Sequence, residues 1–183
     1  MGRIFYTSDL HLGHFNAIRF DKRPWSNVED MDEGLVQRWN AKVNKDDTVY
    51  ILGDISWYKG VQKTVELLKK LNGKKILIRG NHDYCYKQEF INCFEKVVDY
   101  LEIKDGKYDI VLSHYPILFY KNQRYGWIHL YGHLHVGTDE DLCQEFIERI
   151  KAAGINAHMY NVGTMLWNFE PVTLEEIFEK FPD

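Results

Sequence analysis

Short runs of β-branched and aromatic residues alternate along this chain with longer stretches whose apolar residues recur every three or four positions. RIFYT (3–7), TVYILGD (48–54), KKILI within KKILIRGNHD, WIHLYGHLH and HMYNVGT read as strands, most of them buried. A helix opens near SNVEDM, where Ser26 and Glu29 stand at capping-box spacing, and it lines up Val28, Met31, Leu35, Trp39 and Val43 on one face. VQKTVELLKKLNG (61–73) predicts a helix ending at Gly73, and YCYKQEFINCF a short one. EDLCQEFIERIKAAG predicts a helix closed by Gly154, and TLEEIFEKF a last one with Thr173 and Glu176 at capping-box spacing. VVDYLEIKDGKYDIVLSHYP reads as a hairpin turning at Asp105-Gly106. Helices alternating with strands imply an α/β fold whose sheets are covered by helices. No repeat or linker interrupts the pattern, so a single domain over 1–183 is expected.

Composition changes this picture little: 45% hydrophobic and 27% charged residues are ordinary for a globular protein. No apolar run is long enough to span a bilayer, and MGRIFY lacks the apolar region of a signal peptide. Residue 6 is Tyr where a myristoylation signal needs Ser or Thr, so no membrane partner is expected and the cytoplasm is the expected compartment. Cys85, Cys93 and Cys143 form no C-x-x-C pair and are expected as reduced, mostly buried thiols. A net charge of −4 argues against nonspecific binding along duplex nucleic acid but not against a small phosphorylated substrate.

The polar residues are not scattered. Asp9 and His11 follow the first strand, Asp54 ends the second, and Asn81, His82 and Asp83 follow the third. His114 follows the second strand of the hairpin, and His133 and His135 follow the next strand. Each cluster falls at the carboxyl end of a strand, the edge along which open α/β sheets bind ligands. Oxygen and imidazole donors without thiolate suit divalent manganese, iron, zinc, nickel or magnesium rather than a structural zinc. Seven candidate ligands exceed one tetrahedral site but suffice for two ions about 3.5–4 Å apart that share a carboxylate. In D-x-H and H-x-H, an extended chain would turn both donors to one side.

The ordered set DLH (9–11), GD (53–54), GNHD (80–83), SHYP (113–116) and GHLH (132–135) resembles the calcineurin-like metallophosphoesterase superfamily, in particular its small bacterial and phage-type members. The resemblance implies a four-layer α-β-β-α sandwich of two mixed β-sheets flanked by helices. It also implies roles: Asp9, His11 and His135 on a first metal, Asn81, His114 and His133 on a second, and Asp54 bridging both together with a water or hydroxide. His82 would face the substrate as general acid, protonated beside the leaving oxygen. Two divalent ions, two carboxylates and one hydroxide in a shell of neutral histidine and asparagine leave a small net positive charge, suited to a phosphoryl anion. The implied activity is hydrolysis of a phosphate ester by in-line attack of that hydroxide, with manganese the first expectation for the metals.

Other residues have plainer readings. His14 and Asn16, in GHFN, are candidates for contact with substrate phosphate, balanced against a loop-structuring role for His14. His129 and His158 lie outside the motifs and are expected to be structural. Asp83 is expected to cap a helix starting at Tyr84, and Gly53, Gly80 and Gly132 to take unusual backbone angles. The segment 115–131, with Tyr115, Phe119, Tyr120, Tyr125, Trp127, Lys121 and Arg124, should overhang the pocket, although packing explains its aromatics more simply than base stacking. No cap domain is evident, so a shallow site favouring phosphodiesters, including nucleotide-like ones, is expected. The alternatives are a scaffold that keeps the fold without the chemistry, as in the similar retromer subunit, and a nuclease. A scaffold would be expected to have lost ligands or His82, and this chain has kept them all.

Overall fold

The computed structural model describes residues 2–182. β1 (Ile4–Thr7), β2 (Thr48–Ile51), β3 (Lys74–Ile78) and β4 (Lys96–Val98) form one sheet in that order, every pair parallel. β5 (Tyr100–Asp105), β6 (Tyr108–Ser113), β7 (Ile128–Tyr131) and β8 (His158–Asn161) form the second. Only the β5–β6 pair is antiparallel; β6, β7 and β8 run parallel. The second sheet is thus mixed as expected, whereas the first is parallel throughout.

Side-chain alternation along the strands separates three cores. In β1, Phe5 points outward to α2 (Val28–Lys42) and Tyr6 inward to the other sheet; in β2 and the residue after it, Val49 and Ile51 point outward and Leu52 inward. The outer core packs these residues against Met31, Leu35 and Trp39 of α2 and against Leu67 and Leu68 of α3 (Val61–Leu68). The inner core joins Tyr6, Leu52 and Ile78 to Ile110, Leu112, Ile128, Leu130 and Tyr160 of the second sheet, with Leu174 and Ile177 of α6 (Leu174–Lys180) added at its side. On the far face, Val111, Tyr131 and Met159 pack on Cys143, Ile147 and Ile150 of α5 (Thr138–Ala152). Three cores separate four layers, because strands with both faces apolar must be covered on both.

Several local expectations hold and several do not. The capping box of α6 is present, with Thr173 Oγ1 accepting from Glu176 N and Glu176 Oε2 accepting from Thr173 N. α2 is instead capped by Asn27, whose side chain accepts from Asp30 N, so the predicted cap lies one residue early. α3 stops at Leu68, and tight turns carry the chain to Gly73, whose φ of +84° turns it into β3. The stretch read as one first hairpin strand is two: β4 completes the first sheet, and beyond Asp99 β5 starts the second. The hairpin loop is Gly106-Lys107, one residue later than expected. α1 (Phe15–Phe20) was not foreseen, and the short helix expected after Asn81 contracts to α4 (Gln88–Ile91). The three cysteines are free; Cys143 is buried and the other two are half-buried.

Leu112 is fully buried in the inner core. Leu112→Ala is expected to destabilise the protein by about 2–5 kcal/mol, read from urea unfolding midpoints. A loss below about 1 kcal/mol would mean that the space between the sheets is not close-packed.

Candidate metal centre

All five predicted clusters meet at one edge. β1, β2, β3, β6, β7 and β8 present their carboxyl ends together, and the sheets are joined there by Ser8 N, which donates to Val162 O at 3.0 Å. Asp9, His11 and His135 bring one ligand atom each within 4.8 Å of one another, and so do Asp54, His114 and His133. Asp54 lies between the two groups: its Oδ2 is 3.8 Å from His11 Nε2, and its Oδ1 is 3.7 Å from His114 Nε2. Asn81 joins the second group, with Oδ1 3.0 Å from His114 Nε2.

The proton positions are what make the arrangement suited to cations. His114 Nδ1 lies 2.6 Å from Leu52 O and donates to it, so in the neutral ring Nε2 is a bare lone pair facing the oxygen of Asn81. His135 Nδ1 lies 2.8 Å from Asp21 Oδ1, which fixes its proton there and leaves Nε2 facing His11 Nε2 at 3.2 Å. His114 Nε2 and Asn81 Oδ1 are opposed acceptors that repel unless something positive sits between them, and the His11–His135 pair is held together by either one shared proton or a cation. Asp9 Oδ1 and His11 Nδ1 are moreover buried without a hydrogen-bond partner, an arrangement that is costly in a dry site. Asp9 Oδ2 accepts from Ser8 Oγ and from His133 N at 2.6 and 2.9 Å. Burial alone would raise the Asp9 pKa; the pull of His11, His114 and Ser8 outweighs it and holds the carboxyl down at about 2. The donor set fits divalent ions with oxygen and nitrogen preferences.

Holding these groups strains the backbone. Asp9, His11, Asp54 and His133 have φ of +56°, +48°, +53° and +69°, a region that costs a non-glycine residue about 1–3 kcal/mol and clusters at functional sites. The chain leaving β1 is therefore not extended through D-x-H; two left-handed residues, not alternation, bring Asp9 and His11 to one side. Among the three glycines, Gly53 has the expected unusual angle, a φ of +89°. Gly80 and Gly132 are needed for closeness instead: a Cβ on Gly80 would stand 2.2 Å from Asp54 Oδ1, and one on Gly132 2.3 Å from Ser8 Oγ.

Asp83 caps no helix. Its carboxylate accepts from the backbone N–H of Gly80, Asp54 and Ile55 at 2.8, 3.2 and 3.0 Å, tying the third strand's loop to the second's. His129 is structural as expected: it is fully buried, its Nε2 accepts from Ile117 N at 2.9 Å, and burial draws its pKa down to about 4. His14 stacks on Trp57, and with Asn16, Arg19 and Phe20 it lines a hollow of about 470 Å³ beside the first cluster. Of the 115–131 segment, Tyr115 touches the site, its ring 4.6 Å from that of His133 and its hydroxyl donating to Asn81 Oδ1 at 3.3 Å. Tyr120 is buried in the far core, and Lys121 pairs with Glu102, so the segment as a whole does not overhang the pocket.

Asp21 and Arg23 carry no signal in the sequence pattern. Arg23 is buried and donates to Asp21 Oδ2 through Nε and Nη2 (3.0 and 2.8 Å), to Leu10 O at 2.7 Å and to Asp9 O at 3.2 Å. One guanidinium thus holds the strained loop and the carboxylate that orients His135. DKR in a polar loop carries no signal of this, since burial there depends on α1, which the pattern did not reveal.

A family model described as calcineurin-like phosphoesterase matches residues 2–159. The chain belongs to that family. An uncharacterized protein of Methanocaldococcus jannaschii is 35% identical over 97% of this chain and 90% of its own length. The gene 66 protein of Mycobacterium phage D29 is 29% identical over all of this chain and 98% of its own. A solved structure from Aquifex aeolicus, described as of unknown function, shares the fold with a TM-score of 0.74 at 21% identity, over 99% of this chain and 100% of that one. Among the described residues, no helix of this calcineurin-like phosphoesterase is long and apolar enough to cross a membrane.

Asp21→Asn should weaken divalent metal binding by roughly 10–100-fold, measured by competition with a chromogenic chelator on protein whose folding is checked by circular dichroism, because the substitution also leaves buried Arg23 without its counter-ion. Unchanged affinity would show that Asp21 does not orient His135 for a metal.

Proposed function

We propose that this protein is a phosphoesterase using two divalent ions, with Asp9, His11 and His135 holding one, Asn81, His114 and His133 the other, and Asp54 shared. The observation that carries this reading is the pair of opposed acceptor clusters with Asp54 between them, one carboxylate oxygen toward each. Manganese is the first choice among manganese, iron, zinc, nickel and magnesium, all compatible with such donors. When bound, the ions would supply a nucleophilic water near neutral pH and charge to clamp the phosphoryl oxygens.

The chain's own residues do the rest. Asp21 and Leu52 O keep the protons of His135 and His114 on Nδ1, away from the centre. Asp83 and Arg23 hold the loops that carry the acidic ligands. His82 is exposed at the opening, its backbone N–H donating to Asp54 Oδ1 at 3.0 Å, and we assign its ring to the substrate. Burial, with His11 and His114, lowers the His82 pKa, and Asp54 opposes them. A standing imidazolium is thus not favoured in the free protein, and a bound phosphoryl anion beside the ring would restore the proton that His82 then gives to the leaving oxygen. Arg23 is committed to Asp21 and to backbone carbonyls, so it does not help enclose a monoester dianion. The site opens between exposed Asn81, His82 and Tyr115, and this favours diesters, including nucleotide-like ones. The aromatic Tyr115 and the hollow at His14 and Asn16 are the candidate substrate contacts.

Metal-stripped protein titrated with manganese should hydrolyse bis-p-nitrophenyl phosphate faster than p-nitrophenyl phosphate, and Asp54→Asn should abolish both activities. His82→Ala should lower turnover on the order of 10²–10⁴-fold with metal content unchanged. Metal loss in His82→Ala, or full turnover in Asp54→Asn, would overturn these assignments.

A further inference from the structure

Trp57 stands three residues beyond Asp54 and is 44% exposed, its ring 6.1 Å from that of His11. Its backbone is firmly held. Its N–H donates to Leu12 O at 2.8 Å, and buried Ser56 Oγ bonds both Leu12 O at 3.2 Å and Thr64 Oγ1 at 2.7 Å. The indole stacks on His14, with centroids 4.3 Å apart and planes at 8°, and meets the His82 ring at 4.2 Å and 61°. Among the described residues, His14 and His82 each touch the indole, and no ring contact joins them to each other.

His82 needs such a neighbour. Its Nε2 is 3.9 Å from Asp54 Oδ2, beyond hydrogen-bond reach, and its other ring contact is a tilted one with His11 at 6.1 Å. The main chain of His82 is fixed by Asp54, but no hydrogen bond among the described residues fixes the imidazole. A histidine that delivers a proton must hold its nitrogen within hydrogen-bond reach of the leaving oxygen, and an error of about 1 Å can cost on the order of 10²-fold. We propose that Trp57 is a positioning residue: braced on one side by His14, it fixes the rotamer of His82 for proton delivery. The proposal rests on the phosphoesterase reading, which is what gives His82 a proton to deliver. It also accounts for His14, whose ring packs on the indole while its Nδ1 stays buried without a partner. His14 thereby gains a bracing role through the ring face that stacks on Trp57, while its other side lines the hollow with Asn16.

The test is a double-mutant cycle of Trp57→Ala and His82→Ala, with Trp57→Phe as a conservative variant, on bis-p-nitrophenyl phosphate and on diphenyl phosphate. Metal content of every variant is measured first. Trp57→Ala should lower kcat by roughly 10–100-fold with KM nearly unchanged, and Trp57→Phe should restore most of it. The loss should be larger for diphenyl phosphate, because phenolate leaves less readily without a proton than p-nitrophenolate. In the His82→Ala background Trp57→Ala should add little. Imidazole ¹H–¹⁵N spectra of the metal-free protein should show one His82 environment in the natural protein and an averaged one in Trp57→Ala. Equal losses multiplying in the double variant, a rise in KM alone, or no loss at Trp57 while His82→Ala is impaired would overturn the positioning role. No loss at His82 itself would overturn the acid assignment on which it rests.

Discussion

Two imidazole nitrogens face each other at 3.2 Å with room between them for one proton or one cation, and most of the structure around them serves to keep them there. His11 and His135 come from different sheets, 124 residues apart in the chain. Left to themselves they would turn away or take up water. Asp21 prevents this by holding the outer nitrogen of His135, and Arg23 holds Asp21. The same logic repeats at His114, whose outer nitrogen is held by the Leu52 carbonyl. Opposed acceptors, an orphaned Asp9 oxygen and a shared Asp54 form a negative, desolvated hollow that the fold tolerates because divalent cations would neutralise it.

The architecture follows from that need. Strands running in one direction bring their carboxyl ends to one edge, and the parallel strands β6, β7 and β8 of the second sheet, facing the first, double the number of loops available. Three tight approaches then set the spacing. Gly80 lets its loop reach Asp54, Gly132 lets the other sheet reach Ser8 and Asp9, and Asp83 ties two loops of the first sheet together. The left-handed φ values at Asp9, His11, Asp54 and His133 are the conformational cost of converging donors from separate strands on so small a volume. Rigid packing of the inner core, with Leu52 directly before the second acidic loop, supports this strain.

Much of this was legible in the sequence. The motifs DLH, GD, GNHD, SHYP and GHLH fall where strands end, so the strands and a common edge for the donors could be read from the pattern, while the grouping of the donors and the two-sheet sandwich came from the family resemblance. The split at Asp99 could not, because VVDYLEIKD has the composition of one strand; which sheet each half joins is decided by pairing partners far away. Local energetics were equally hidden. Ser26 and Asn27 are both good caps, and the choice between them turns on where the chain enters the helix. Gly80 and Gly132 were recognised as structural, but sequence does not distinguish a glycine needed for its angle from one needed for its lack of a side chain. Asp21, Arg23 and Trp57 act through tertiary contacts that no periodicity records.

The central claim is that the two clusters are one centre joined through Asp54. Electron paramagnetic resonance of the protein loaded with two manganese ions per chain tests it directly. The account predicts a spectrum of an exchange-coupled pair, replaced in Asp54→Asn by weak or uncoupled signals. Two independent six-line spectra in the natural protein would contradict it, since they would mean that His11 and His114 serve separate sites and that Asp54 bridges nothing.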